Sequence, residues 1–311
     1  MFRNRWLIAL MFTTSCVLSY AQEVDSLFLK DELTSEDSLS IFRLIDSLMT
    51  MESIETSQLV ARLSYNSNVL SAGRTLGIEQ FGLSPGLSYY HKSGVFADIT
   101  SYWSKDYEPH LYLTTASMGY IRVLSRRFSA VASFDHYFYH QKDDDTFLPY
   151  SNAITVSPSL DFKFLSLRLD YSFYFGDAYA NRIMPNMSFK IRKNDFLGFD
   201  RVSIYTSFYV LFGDETITEF ELVAPTSIRE AYDNYQKYGM RFSPKTTERI
   251  VFGVMNYSFS VPITMTINNW LFNASYTYSI PVALEDEPLT LEESGFISAG
   301  VSYFISFKPV K

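Results

Sequence analysis

The chain has 311 residues, 17% of them aromatic and only 19% charged, a balance that fits neither a disordered segment nor a solvated helical bundle. Its net charge of −8 comes without any basic cluster able to neutralise several phosphates, which excludes nucleic acid as a partner. After the first two dozen residues no run of 18 apolar residues occurs, so no membrane-spanning helix is expected there.

Arg3 and Arg5 precede an apolar stretch from Trp6 to Leu18, and Ser19-Tyr20-Ala21 then offers small residues ahead of a cleavage point. This is the pattern of an export signal over residues 1–21, cut after Ala21. Lipid attachment at Cys16, the only cysteine, is the rival reading, but Thr13 stands where such sites usually carry leucine. Residues 22–57 form the next segment. Leu39, Phe42, Ile45 and Leu48 recur every three residues, with Asp37, Arg43, Asp46 and Ser47 opposite them. An amphipathic helix fits, lying in the periplasm or inside the rest of the molecule.

From residue 58 the period changes to two. Leu165, Leu167, Leu169, Tyr171, Phe173 and Phe175 alternate with Ser166, Arg168, Asp170, Ser172 and Tyr174, giving a strand with one apolar and one polar face. Phe272, Ala274, Tyr276, Tyr278 and Ile280 stand likewise against Asn273, Ser275, Thr277 and Ser279, and Ile297 to Phe307 repeats the pattern against Ser298, Gly300, Ser302 and Ser306. Twelve such segments are expected, near 59–71, 78–91, 94–104, 111–124, 127–140, 151–164, 165–176, 184–193, 200–213, 249–263, 269–283 and 295–307. Most are about twice the ~5 to 6 residues of strands in soluble sheets and near the ~9 to 11 that cross a bilayer at a tilt.

The connections alternate between long polar loops (72–77, 105–110, 141–150, 177–183, 214–248, 284–294) and tight turns (92–93, 125–126, 164/165, 194–199, 264–268). An even strand number with both ends on the tight-turn side is the layout of an outer-membrane barrel. A sheet in hydrocarbon must also leave no unpaired edge. The expected fold is therefore all-β: one closed antiparallel transmembrane barrel of about 12 strands over residues 58–311. Tyr102, Trp103, Tyr112, Phe162, Phe164, Trp270 and Phe272 are expected in its interfacial girdles.

Over residues 58–307 the chain resembles Gram-negative outer-membrane β-barrels. More narrowly, Leu33–Leu48 (LTSEDSLSIFRLIDSL) and Ser64–Gly94 (SYNSNVLSAGRTLGIEQFGLSPGLSYYHKSG) look like Bacteroidota outer-membrane proteins without an assigned activity. The resemblance implies a fold and a location, with both termini in the periplasm, and no catalytic residues. Outer-membrane lipids, lipopolysaccharide and the barrel-assembly machinery are the partners it implies, besides an unidentified protein partner. Barrels of this class often end on an aromatic residue, whereas Lys308-Pro309-Val310-Lys311 follow Phe307 here.

Twelve strands spaced ~4.8 Å and tilted ~40° give a backbone ring roughly 24 Å across and leave about 10 Å inside the side chains. Asp98, Asp135, Asp161, Lys163, Arg168, Asp170, Lys190 and Arg192 are expected to line it, with Asp161 and Arg168 paired across the 164/165 turn. Such charges either pair and fill the barrel or build a charge-selective constriction. In loop 214–248, Ile228–Tyr238 reads as a short helix with Tyr232, Tyr235 and Tyr238 on one stripe, free to contact a partner or packed on the rim. Asp143-Asp144-Asp145 lacks the ligand spacing of a calcium loop. No metal cluster, phosphate-binding glycine loop or nucleophile motif stands out, so no cofactor is expected. The leading expectation is a non-enzymatic barrel acting as a small-solute channel or structural component. The alternative is a lipid or peptide hydrolase with His136, His140 and Asp135 at the outer rim, where a histidine beside carboxylates serves as general base.

Overall fold

The structure, a computed structural model, describes residues 56–67, 82–105, 108–140, 150–285 and 293–307. The expected export signal, nearly all of the segment at 22–57 and the Asp143-Asp144-Asp145 run lie outside these residues. Six strands make the first half of the sheet: β1 (Ser57–Asn66), β2 (Gly82–Tyr90), β3 (Val95–Trp103), β4 (Leu111–Val123), β5 (Phe128–Tyr139) and β6 (Tyr150–Asp161). The second half holds β7 (Leu165–Gly176), β8 (Tyr179–Phe196), β9 (Phe199–Val223), β10 (Ser243–Ile267), β11 (Trp270–Pro281) and β12 (Ser294–Phe307).

Every strand pairs antiparallel with its chain neighbours, and β1 pairs with β12, Val60 opposite Phe304 and Tyr65 opposite Ala299, so the sheet closes on itself. No edge is left for another chain or for lipid to meet. Alternation then sorts the side chains. On β7 Leu167, Leu169 and Tyr171 are exposed while Asp170 and Ser172 are buried. On β10 the exposed residues are Tyr257, Phe259 and Ile263, and Ser258, Ser260 and Thr264 are buried. An apolar face running right round a closed ring would aggregate in water, which makes this a transmembrane barrel.

At one end of the ring the strands are joined by tight turns at 91–94, 124–127, 162–164, 197–198 and 268–269, and both Ser57 and Phe307 lie at this end. The connection at 194–199 proves to be one of them. Leu197 and Gly198 carry φ of 55° and 85°, the left-handed pair that a two-residue hairpin turn needs. Outward aromatics mark this end: Trp270 lies 4.7 Å from Tyr303 and 6.3 Å from Phe272 between ring centroids.

At the other end two expectations need correction. The loop expected at 177–183 is only residues 177–178, because β8 already starts at Tyr179. Asn181 and Arg182 read as loop residues in the sequence, yet Asp214 on β9 accepts from the Asn181 backbone N–H (2.6 Å) and from its Nδ2 (2.7 Å). The loop expected at 214–248 is mostly a two-stranded ribbon, in which Asp214 to Val223 of β9 pairs with Ser243 to Phe252 of β10. It stands beyond the ring, where the neighbouring ladder has stopped at Gly213 opposite Arg182.

The ribbon carries α1 (Ile228–Tyr238) at its tip, with the bounds expected from the sequence. Ser227 caps it by accepting from the Glu230 backbone N–H (3.1 Å), and Gly239 ends it in the left-handed conformation. The Glu230 carboxylate accepts from Thr226 N (2.7 Å) and Thr226 Oγ1 (2.6 Å), which holds it below the usual carboxylate range. A depressed folded-state value means that this stabilisation is complete near neutrality and is lost as pH falls through that value. Hydrogen-exchange protection of α1, corrected for intrinsic rates, should drop at acidic pH, and Glu230→Gln should remove the step.

Candidate functional site

The lumen is the site, and it is layered. Towards the long-loop end Tyr112, Leu113, Tyr137 and Ala153 are buried together with Tyr102, Tyr139 and Tyr174 against them. Tyr102 and Tyr112 therefore belong to the inner wall and not to the girdle expected for them. The cause is an irregularity between β3 and β4, where Tyr102 faces Leu113 and Trp103 faces Leu111, so that Tyr112 is an extra residue turned inward. Trp103 points outward and meets His110 at 6.0 Å.

Below the tyrosines runs a charged layer. The strand register places Val60 opposite Ser88, Ser88 opposite Asp98, Asp98 opposite Ser117, Ser117 opposite Asp135 and Asp135 opposite Ala153. Asp98 is held by Arg62, whose Nη1 lies 2.7 Å from Oδ2 and whose Nη2 donates to Oδ1 at 2.8 Å. Arg62 also donates to Ser88 and Thr100. Gly86 makes this possible: a Cβ there would come within 2.7 Å of Arg62 Nε. Arg62 was missed in the sequence, although its alternation with Leu59, Ala61 and Leu63 marked an inward position.

Next comes an apolar collar of Val60, Tyr90, Phe96, Val131, Leu271 and Phe304, all buried and all inward, with Ile121 packed against it. Phe96 lies over Gly119, where a Cβ would meet its ring at 2.5 Å. A second apolar cluster, Met184, Tyr209, Leu211, Met255 and Leu284, covers the β8–β10 wall nearer the long-loop end. There Arg182 donates to the Asp214 backbone carbonyl, and its Nη2 lies 3.3 Å from Glu215 Oε2. This group was also missed, because the stretch reads as a loop.

The remaining expected lining residues separate. Arg168 faces inward, but it stands opposite Ser159 and its Nε pairs with Asp170 Oδ2 at 3.0 Å on its own strand. Asp161 stands opposite Ser166, whose hydroxyl donates to it at 2.7 Å, so the partner expected across the turn is replaced by a serine. Lys163 is not in the lumen. It sits exposed in the 162–164 turn. Lys190 lies 5.2 Å from the centre of the Tyr205 ring. Arg192 is exposed on the part of β8 that runs past the last β7 pair, Leu165 opposite Phe189.

The hydrolase constellation does not assemble. Asp135 and His136 are consecutive strand residues and point to opposite faces. His136 faces outward, where its Nδ1 meets Asn152 Oδ1 at 2.7 Å and its ring meets Phe138 edge-on at 4.4 Å. His140 Nε2 instead meets Thr114 Oγ1 at 3.0 Å. The tyrosines of α1 are not packed on the barrel rim: Tyr232 and Tyr235 are 63% and 59% exposed, and Lys237 Nζ sits 5.0 Å from the Tyr238 ring.

No family model matches this chain. No curated protein matches it either. Among solved structures it is similar to the NanC porin (11% identity, covering 79% of this chain and 98% of that one, TM-score 0.41). The KdgM porin gives 10% identity, the same coverages and a TM-score of 0.42. The translocator domain of the autotransporter NalP from Neisseria meningitidis gives 11% identity, 86% and 95% coverage and a TM-score of 0.35.

Proposed function

We propose that the barrel passes small solutes across a bacterial outer membrane. The observation that carries this reading is the inner wall of β10–β12, where small hydroxyl side chains pair across strands: Ser258 with Ser279 (3.1 Å), Ser260 with Thr277 (2.9 Å) and Ser275 with Ser298 (3.1 Å). Their hydroxyls make this wall polar even though Ser260 and Thr277 are fully buried, whereas a barrel serving only as a membrane-embedded scaffold is better stabilised by an apolar filling. The apolar collar lies across this path, and an apolar constriction limits flow by shedding water.

Purified protein in planar bilayers should give discrete current steps, and Phe96→Ala with Phe304→Ala should enlarge them by opening the collar. Correctly folded protein that is silent in both forms would remove the channel reading. A structural or adaptor role has its own support in α1, whose Ile228, Tyr232 and Tyr235 are exposed at the tip of the ribbon and could meet a protein partner.

In this reading the tight-turn end, with both strand termini, faces the periplasm. Outer-membrane lipids and lipopolysaccharide surround the apolar band, and β12 ending at Phe307 is the segment presented to the barrel-assembly machinery. An export signal at 1–21, a periplasmic or luminal helix within 22–57 and kinship with Bacteroidota outer-membrane proteins belong to the same proposal. Mass spectrometry of the mature N-terminus tests the first of these, with Gln22 expected as the leading residue.

A further inference from the structure

We propose that Asp135 holds a monovalent cation, bare or as the ammonium head of a small solute, and that this site makes the passage prefer cations. The preference rests on the channel reading above, whereas the binding does not.

Asp135 is 9% exposed and points into the lumen between two layers that offer it little: the tyrosines on one side and the apolar collar on the other. Among the described residues no cation forms an ion pair with it. Serine hydroxyls are all that reach it, Ser133 at 3.3 Å from Oδ2 and Ser117 directly opposite on β4. The cations nearest in the layering are already engaged. Arg62 is bound to Asp98, two strands away on the same rung, and Arg168 is bound to Asp170 on β7. A second observation points to a ligand: the buried Thr115 Oγ1, one inward position from Ser117 on the adjoining strand, has no hydrogen-bond partner among the described residues.

A buried carboxylate without a partner is strongly disfavoured, so something must compensate it. The surroundings supply oxygens only, from Asp135, Ser133, Ser117 and Thr115, which is a donor set for a hard monovalent cation or for an ammonium group with three N–H donors. The neutral pairs on either side add no net charge to repel it. One unpaired carboxylate in a narrow, low-dielectric passage is sufficient to bias it towards cations.

Reversal potentials across a KCl gradient, repeated with methylammonium chloride, test the selectivity. The unaltered protein should favour the cation in both salts, Asp135→Asn should lose that preference, and Asp135→Glu should keep it. A potassium preference without a methylammonium one assigns the site to bare ions, and the reverse assigns it to ammonium solutes. The binding is read independently of current, from the unfolding midpoint of the detergent-solubilised barrel in methylammonium against tetrabutylammonium chloride at equal ionic strength. The midpoint should rise in methylammonium for the unaltered protein and not for Asp135→Asn. Silence in the bilayer together with this midpoint shift would remove the channel and keep the site. An unaltered protein indifferent to the cation in both measurements, as a carboxyl kept protonated would be, overturns the proposal.

Discussion

Replacing Arg62 with Ala is expected to cost the barrel about 3–5 kcal/mol, read as a large fall in the urea midpoint for unfolding from lipid vesicles. The magnitude follows from what is left behind. Asp98 is 6% exposed, and its oxygens rely on the two Arg62 nitrogens, with help from the Ser88 hydroxyl on Oδ2 and Thr100 on Oδ1. Removing the guanidinium strands a carboxylate in a layer bounded by the buried Phe96 and Tyr90. The pair Arg62→Met with Asp98→Leu should regain most of that loss, since exchanging both ions for apolar groups removes the desolvation along with the attraction. A double variant no better than Arg62→Ala would mean that the side-chain volume over Gly86, and not the charge, is what the site needs.

A comparable loss is expected on the opposite face of the sheet. Leu169 lies at the middle of β7, 44% exposed and flanked by the outward Leu167 and Tyr171. If those residues face hydrocarbon, Leu169→Arg should destabilise the barrel by about 2–4 kcal/mol, the cost of a cation at the bilayer midplane. Tyr232→Arg on α1, which is 63% exposed and stands above the membrane, should shift stability by no more than about 0.5 kcal/mol. Two exposed residues, one indifferent and one intolerant, separate a lipid-facing surface from a water-facing one.

Much of this architecture was legible in the sequence because lipid on one side and a polar lumen on the other enforce a period of two. The segment expected at 165–176 is β7 to the residue. The alternation fails where the membrane stops. Thr216 to Val223 and Ser243 to Ile250 form a ribbon with water around it, so neither face needs to be apolar and the stretch reads as a loop. Irregular register hides residues in another way. Tyr112 changes sides because one extra residue is inserted next to Trp103, a displacement that leaves no trace in local composition.

The lumen was read less completely, and for a physical reason. Which positions point inward follows from alternation, and Asp98, Asp135, Arg168 and Asp170 lie on the less exposed face of their strands. Which ions meet depends on strand stagger. Arg168 lies two residues from Asp170 along its own strand, and Asp161 faces Ser166, because the turn at 162–164 sets a register that pairs 161 with 166. Alternation also separates Asp135 from His136, which as consecutive strand residues cannot share a face.

The most direct measurement of the central claim uses the two tryptophans outside the expected export signal, Trp103 and Trp270, which point outward at opposite ends of the sheet. In vesicles of lipids brominated at graded depths, both should be quenched most strongly by bromines near the headgroup end of the acyl chain and more weakly by bromines at the bilayer centre. Fluorescence unaffected by bromine at every depth would show that no hydrocarbon touches the outer face of the ring.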